Sequence, residues 1–174
     1  TSKEIKDRLQ ALSMQAEATI QIIRKISQEL RPSILDDLGL ISAIDWLKEQ
    51  YNKRTDIHFT QDMPKEEIKI NSEYATALFR ITQESLTNIM RHANAKNVHI
   101  QIQLKGSIIL LQIQDDGQGM VNNKPDNSKK SYGIFGMKER ANILGGKLQI
   151  TNNSNRGTTV NLTLPYNPIE GSTT

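Results

Sequence analysis

The sequence has no cysteine among its 174 residues, which excludes disulfides and thiolate metal sites and suits a reducing compartment. Aromatic residues are scarce, at 5%, and none interleaves with a dense basic run, so a nucleic-acid partner is not expected. Charge of one sign is lacking too: 22 Lys and Arg stand against 19 Asp and Glu, scattered along the chain. No apolar stretch reaches bilayer-spanning length, and Thr1 begins mid-pattern without a signal peptide. The expectation is a cytoplasmic piece of a longer protein that makes no membrane contact itself, whatever anchors its parent. Neither the Gly-Lys-Ser/Thr phosphate loop nor the dinucleotide fingerprint is present.

What is present is a pair of glycine clusters. A hydrophobic run from Ser107 to Gln114 leads into Asp115-Asp116-Gly117-Gln118-Gly119-Met120 at a strand end. Gly117 and Gly119 let backbone approach a flat ligand where a Cβ would collide. Asp115 is placed to accept a hydrogen bond from a ligand amino group. The second cluster, Tyr132-Gly133-Ile134-Phe135-Gly136-Met137, opens a short helical pattern from Phe135 to Leu144, and free N–H groups at a helix start attract phosphate. Asp-Asp-Gly is equally a turn tripeptide, so the chemistry of this stretch alone leaves both readings open. The polar insert Val121–Ser131 between the clusters reads as a mobile lid.

Ile5, Leu9, Leu12, Ala16, Thr19, Ile23, Ile26 and Leu30 step alternately by four and three, a heptad seam that must be buried by another helix. Arg31-Pro32 interrupts it. The helical pattern resumes at Ser33, a candidate cap, and runs to about Arg54 with Gly39 tolerated inside it. After a change of period, short strands are expected at Ile57–Gln61, Ile68–Ile70, Asn97–Leu104, Ile108–Gln114, Lys147–Thr151 and Thr158–Leu164. Asn71 or Ser72 caps a long helix from Glu73 to about Ala93, with Leu78, Thr82, Leu86, Ile89 and Ala93 as its apolar stripe.

On that helix Glu84 and Asn88 lie four residues apart, roughly 40° around the axis, and project together. Arg91 and His92 continue the polar face. An ordinary solvated helix face explains these residues as well as a site does. Beside a nucleotide, however, the Asn88 amide suits a hydrated Mg²⁺, Glu84 could activate an attacking group, and Arg91 could balance phosphate charge. His58 and His99 lack metal-ligand spacing and read as structural or surface residues. Trp46 and Tyr51 read as packing residues.

Ile81-Thr82-Gln83-Glu84-Ser85-Leu86-Thr87-Asn88-Ile89-Met90-Arg91-His92-Ala93 resembles the Asn-containing box of sensor histidine kinases. Asp115-Asp116-Gly117-Gln118-Gly119 resembles their first glycine box. Gly133-Ile134-Phe135-Gly136-Met137, with Glu139-Arg140-Ala141 and Leu144-Gly145-Gly146, resembles the second. Gly157-Thr158-Thr159 is similar to the start of the closing strand. The stretch Glu29-Leu30-Arg31-Pro32-Ser33-Ile34-Leu35-Asp36-Asp37-Leu38-Gly39-Leu40 resembles the end of the dimerisation region in the NarX/DesK-like class.

The resemblance implies an α+β fold: a two-layer α/β sandwich of the Bergerat type, shared with the gyrase, mismatch-repair and heat-shock ATPases of the GHKL superfamily. Its sheet is mixed and mostly antiparallel, with helices on one face, and a long helical dimerisation arm precedes it. Residues 1–54 would form the arm, 55–168 the ATP-binding catalytic domain with a lid at 120–132, and 169–174 a disordered tail. The implied cofactors are ATP and Mg²⁺. Asn88 would hold the metal, with Glu84 beside it as activating carboxylate and Arg91 and His92 near the phosphates. Asp115 would bond the adenine amino group while Gly117 and Gly119 allow close approach. Gly133 and Gly136 would hinge the lid, and Thr158 would flank the base. The implied activity is delivery of the γ-phosphoryl to a histidine on a dimerisation helix, for relay to a response-regulator aspartate, in a parent that is a homodimer. None of His58, His92 or His99 stands in the acceptor context, so the phosphoacceptor helix is expected outside this sequence. Two rivals differ in class. One is a nucleotide-binding regulatory module, against which Glu84 and Asn88 speak. The other is a GHKL-type ATPase or anti-sigma serine kinase, against which the Arg31–Gly39 pattern speaks.

Overall fold

The computed structural model describes Ile5, residues 8–10, 12–15 and 19, then 32–120 and 130–166. The chain divides into two compact units, Thr1–Pro32 and Ser33–Thr174. In the first, Ile5, Leu9 and Leu12 are helical and exposed, as an unpaired heptad seam would be. The seam positions Ala16, Ile23, Ile26 and Leu30 lie outside the described residues, as do 121–129 of the expected lid and the tail 169–174.

The second unit starts at Ser33, well ahead of the period change near Arg54 where the domain boundary was expected. The reason is burial. Helix α1, Ile34–Asn52, places Leu35, Leu40, Ala43, Ile44 and Leu47 in the same core as the sheet. Ser33 makes no side-chain cap. Nor is Gly39 a tolerated helix interior: its φ of 77° and ψ of 179° break α1 into two pieces. Only glycine enters that region without strain. The Glu67 carboxylate, from a distant loop, then accepts from Ile41 N and Ser42 N, each at 3.0 Å, and so caps the second piece.

Helix α2, Ser72–Asn88, is capped by Asn71, whose Oδ1 accepts from Tyr74 N at 2.9 Å. All five positions of its read stripe are buried. Tyr51 ties α1 to α2 through its hydroxyl, 2.7 Å from Thr87 Oγ1, which is the packing role read for it. Trp46, by contrast, is 44% exposed. Helix α3, Lys130–Ile143, starts earlier than the Phe135 pattern indicated. It stops at Gly145, where φ is 69° and Gly146 N donates to Ala141 O at 2.8 Å, a left-handed glycine stop.

Five strands, β1 His58–Asp62, β2 Asn97–Lys105, β3 Ile108–Asp115, β4 Lys147–Asn152 and β5 Thr158–Pro165, form one sheet in the order β1-β2-β3-β5-β4. The β1–β2 pair is parallel and the other pairs are antiparallel. Ile68–Ile70 is not a strand; Ile68 is buried and Ile70 packs against the core instead. Strict alternation puts Val98, Ile100, Ile102, Ile109, Leu111, Ile113, Val160, Leu162 and Leu164 on the helix-covered face. The opposite face is polar. One register row crosses all five strands there, Asp62, Gln101, Gln112, Asn161 and Gln149. Within it Gln101 Nε2 donates to Asp62 Oδ2 at 2.7 Å, and Gln112 Nε2 donates to Asn161 Oδ1 at 2.8 Å. The result is the mixed α/β sandwich, with one face of the sheet under the helices.

Candidate functional site

After Asn88 the helix widens into a π turn, Ile89–Ala93, and ends at Asn94 with φ of 50°. Such a turn is a frequent mark of a functional position, since it redirects side chains that a regular helix would keep in line. Its last carbonyls are taken up by the first glycine cluster. Gln118 Nε2 donates to His92 O at 2.7 Å, and Gln118 N donates to Ala93 O at 2.8 Å. Gly117 packs onto the same residue so closely that a Cβ would strike the Ala93 carbonyl oxygen and lie 2.7 Å from its Cβ. Gly117 is thus required by the helix end.

The two aspartates divide between the two readings of Asp-Asp-Gly. Asp116 is the turn residue. Its Oδ1 accepts from Lys96 N at 2.8 Å and Asn97 N at 2.9 Å, and its Oδ2 from Asn97 Nδ2 at 2.7 Å. These bonds hold its carboxyl below the usual range, the Asn97 side chain contributing most. Asp115 is 4% exposed at the end of β3, and its Oδ1 accepts from Gly117 N at 2.8 Å. Burial pushes its carboxyl above the usual range, against the hydrogen bonds from the Gly117 and Thr158 main chain that lower it.

Asp115 faces a cavity of about 360 Å³ between the sheet end and α2. Of the candidate residues, the fold brings Asn88, His92, Asp115, Gly119 and Thr158 to its lining. Apolar side chains to which no site role was given complete the wall: Ile89, Met120, Ile134, Met137, Ile150 and Val160. For Ile150 and Val160 the alternation on β4 and β5 was a usable signal. Ser85 also lines it, its hydroxyl donating to Ile81 O at 2.8 Å, within reach of Met137 Sδ at 3.6 Å.

Glu84, Arg91, Gly117, Gly133 and Gly136 lie outside that lining. Arg91 is exposed. Glu84 packs its carboxylate against Gly133, where a Cβ would collide with Oε1. One turn later, the Arg140 Nη1 lies 3.3 Å from where a Gly136 Cβ would sit. Burial pulls the Arg140 guanidinium below its usual value, and the nearby Glu84 and Glu139 carboxylates oppose that. The second glycine pair therefore forms a smooth face of α3 on which charged groups rest.

Residues 73–168 match the family described as histidine kinase-, DNA gyrase B-, and HSP90-like ATPase. The chain belongs to this family and carries a catalytic ATPase domain of the histidine kinase type. Among curated proteins it is 35% identical over 147 residues to the oxygen sensor histidine kinase NreB of Staphylococcus carnosus. That match takes in 84% of this chain and 42% of NreB. It is also 36% identical over 144 residues to the histidine-protein kinase/phosphatase UhpB of Salmonella typhimurium, covering 82% of this chain and 28% of UhpB. The chain thus spans less than half of either relative. Among solved structures, the Acinetobacter baumannii histidine kinase AdeS superposes with a TM-score of 0.63 over 91% of this chain and 84% of that one, at 13% identity. The catalytic domain of histidine kinase ThkA gives 0.59 over 74% and 94%, also at 13% identity. These two establish the fold. Among the described residues no helix is long and apolar enough to cross a membrane.

Proposed function

We propose that this chain is the nucleotide-binding catalytic module of a two-component sensor histidine kinase, which passes the ATP γ-phosphoryl to a histidine on a dimerisation helix outside this sequence. The observation that carries the reading is Asp115, a buried carboxylate at the end of a largely apolar cavity of about 360 Å³. An acceptor in an apolar slot selects a flat ligand that presents an amino group, as adenine does. Thr158 and Gly119 flank the same space.

Asn88 and His92 line the cavity from α2 and its π turn. Asn88 Oδ1 would serve Mg²⁺, a hard ion that keeps most of its waters and needs few protein oxygens. Bound with ATP, the ion would offset the charge that develops on the transferred phosphoryl group. Glu84, one helical turn before Asn88, is the carboxylate to activate the attacking histidine. Its packing on Gly133 couples it to α3, where Gly133 and Gly136 would let the phosphates approach the helix closely. Arg91 and His92 would balance phosphate charge. The segment ahead of Ser33 would supply part of a homodimeric arm, with the unit from Ser33 onward holding the nucleotide. The further partners are the phosphoacceptor helix and a cytoplasmic response regulator.

Calorimetric titration with a non-hydrolysable ATP analogue, with and without Mg²⁺, tests this. Wild type should bind, and Asn88→Ala should lose only the Mg²⁺-dependent part. A folded wild type that binds nothing would sink the reading. Phosphotransfer to a separately supplied helix carrying the acceptor histidine then tests the kinase step.

A further inference from the structure

The end of β4 and the turn after it, Asn152–Gly157, are bonded to the first glycine cluster at several points, although none of these residues enters the reading above. The Asn152 carboxamide accepts from Met120 N at 2.7 Å and donates from Nδ2 to Met120 O at 3.1 Å. One side chain thereby satisfies both main-chain groups of a single residue, as a neighbouring strand would. Its Oδ1 also lies 3.1 Å from where a Cβ on Gly119 would sit, and Gly119 has φ of 76°. Asn153 Nδ2 donates to Asp115 O at 3.1 Å, and Arg156 Nε donates to Gly117 O at 3.2 Å. Gly157, with φ of 90°, leaves room for the Asp115 carbonyl, which any Cβ there would strike.

These contacts differ in what they support. Asn153 is half-buried and also accepts from Thr159 Oγ1 at 2.5 Å, so it shapes the hairpin itself. Asn152 is exposed, and its pairing with Thr158 holds without its side chain. What its carboxamide fixes is Gly119 and Met120, both in the cavity wall. Glycine in a left-handed conformation has many alternatives, and a reciprocal amide pair removes them.

We propose that Asn152 is the positioning residue of the nucleotide cavity, clamping Met120 by both main-chain groups so that Gly119 and Met120 stand ready for the ligand. This rests on the nucleotide reading. It assigns Asn152 no contact with the ligand.

The test is affinity for a non-hydrolysable ATP analogue, measured on wild type, Asn152→Ala and Asn152→Asp, beside thermal unfolding and hydrogen exchange at the Met120 amide. Asn152→Ala should unfold near the wild-type temperature, expose the Met120 amide to exchange, and bind about tenfold more weakly, because the freed Gly119–Met120 backbone must then be ordered on binding. Asn152→Asp keeps the acceptor for Met120 N–H and loses the donor, so it should fall between the two at high salt. Should Asn152→Ala fail to fold, the Asp variant decides by the same affinity measurement. Wild-type affinity in a folded variant with an exposed Met120 amide overturns the proposal. Absence of binding by folded wild type overturns the nucleotide reading, and the proposal with it, and is distinguishable because it appears before any substitution.

Discussion

The two glycine clusters look alike in sequence and are held in opposite ways. In the first, Asp115–Met120, backbone groups and carboxylates are tied to β2, the π turn and the β4–β5 turn. In the second, Tyr132–Met137, the glycines lie inside helix α3, with Tyr132 and Phe135 60% and 62% exposed. Only Met137 on that stretch is fully buried. The first cluster is built before any ligand arrives, which lowers the cost of ordering on binding. The second rests on side-chain ends that can move. A site that reads a base rigidly and phosphates adaptably would be arranged in this way.

The largest effect should come from forcing a side chain into the rigid cluster. Gly117→Ala would drive a methyl into the Ala93 carbonyl, which is backbone and cannot step aside. A loss of about 3 kcal/mol in urea unfolding is expected. A neutral result would show that the helix end yields, and would erase the contrast between the clusters.

Next is Asp115→Asn. Burial raises the Asp115 carboxyl, so its ionised form costs the folded state stability once the pH is above the usual carboxylate range. The amide should therefore leave the unliganded protein at least as stable at pH 7. Nucleotide affinity should nonetheless drop by about a hundredfold, as expected for losing a hydrogen bond to a charged acceptor. Calorimetry and thermal unfolding on one preparation separate these effects, and a parallel loss of both would assign Asp115 to the fold alone.

Asp116 carries the opposite sign. Its carboxyl is held below the usual range by Asn97, so the stability it contributes is present above that range and is lost as the pH falls through its folded value. Asp116→Ala should cost about 1 kcal/mol at neutral pH, and the gap to wild type should close in acid. A gap that persists once the carboxyl is protonated would point to packing rather than charge.

The smallest effect belongs to the adaptable cluster. At Gly133 the obstacle to a Cβ is the end of the Glu84 side chain, which can swing away. Alanine also favours the helix by about 1 kcal/mol. Gly133→Ala should thus change stability by less than about 1 kcal/mol in the same unfolding assay, and a loss comparable to that of Gly117→Ala would break the comparison.

Much of this was legible in the chain. Period-two alternation marked β2 and β3, and the stripe from Leu78 to Ala93 marked the buried face of α2, because each pattern states locally which side meets the core. The order and spacing of the boxes pointed to the family, and the match over residues 73–168 shows it. Less visible were relations between distant residues. Gly39 looked like an ordinary helical glycine because its capping carboxylate, Glu67, comes from another part of the chain. The Ile68–Ile70 run had strand composition, but its apolar residues pack into the core without a strand there. Asn152, Asn153 and Arg156 read as a generic polar turn until the sheet carried them to the Asp115 strand end.

By itself the sequence determined the elements, the sides they bury and the kinds of group available to a ligand, since propensity, period and side-chain chemistry act over a few residues. Only the tertiary structure decided how Asp115 is buried at the cavity and that Asp116 staples the turn. It also decided which glycines serve packing, and that α1 belongs to the core of the second unit. Those outcomes depend on long-range burial and hydrogen bonding, which no local pattern encodes.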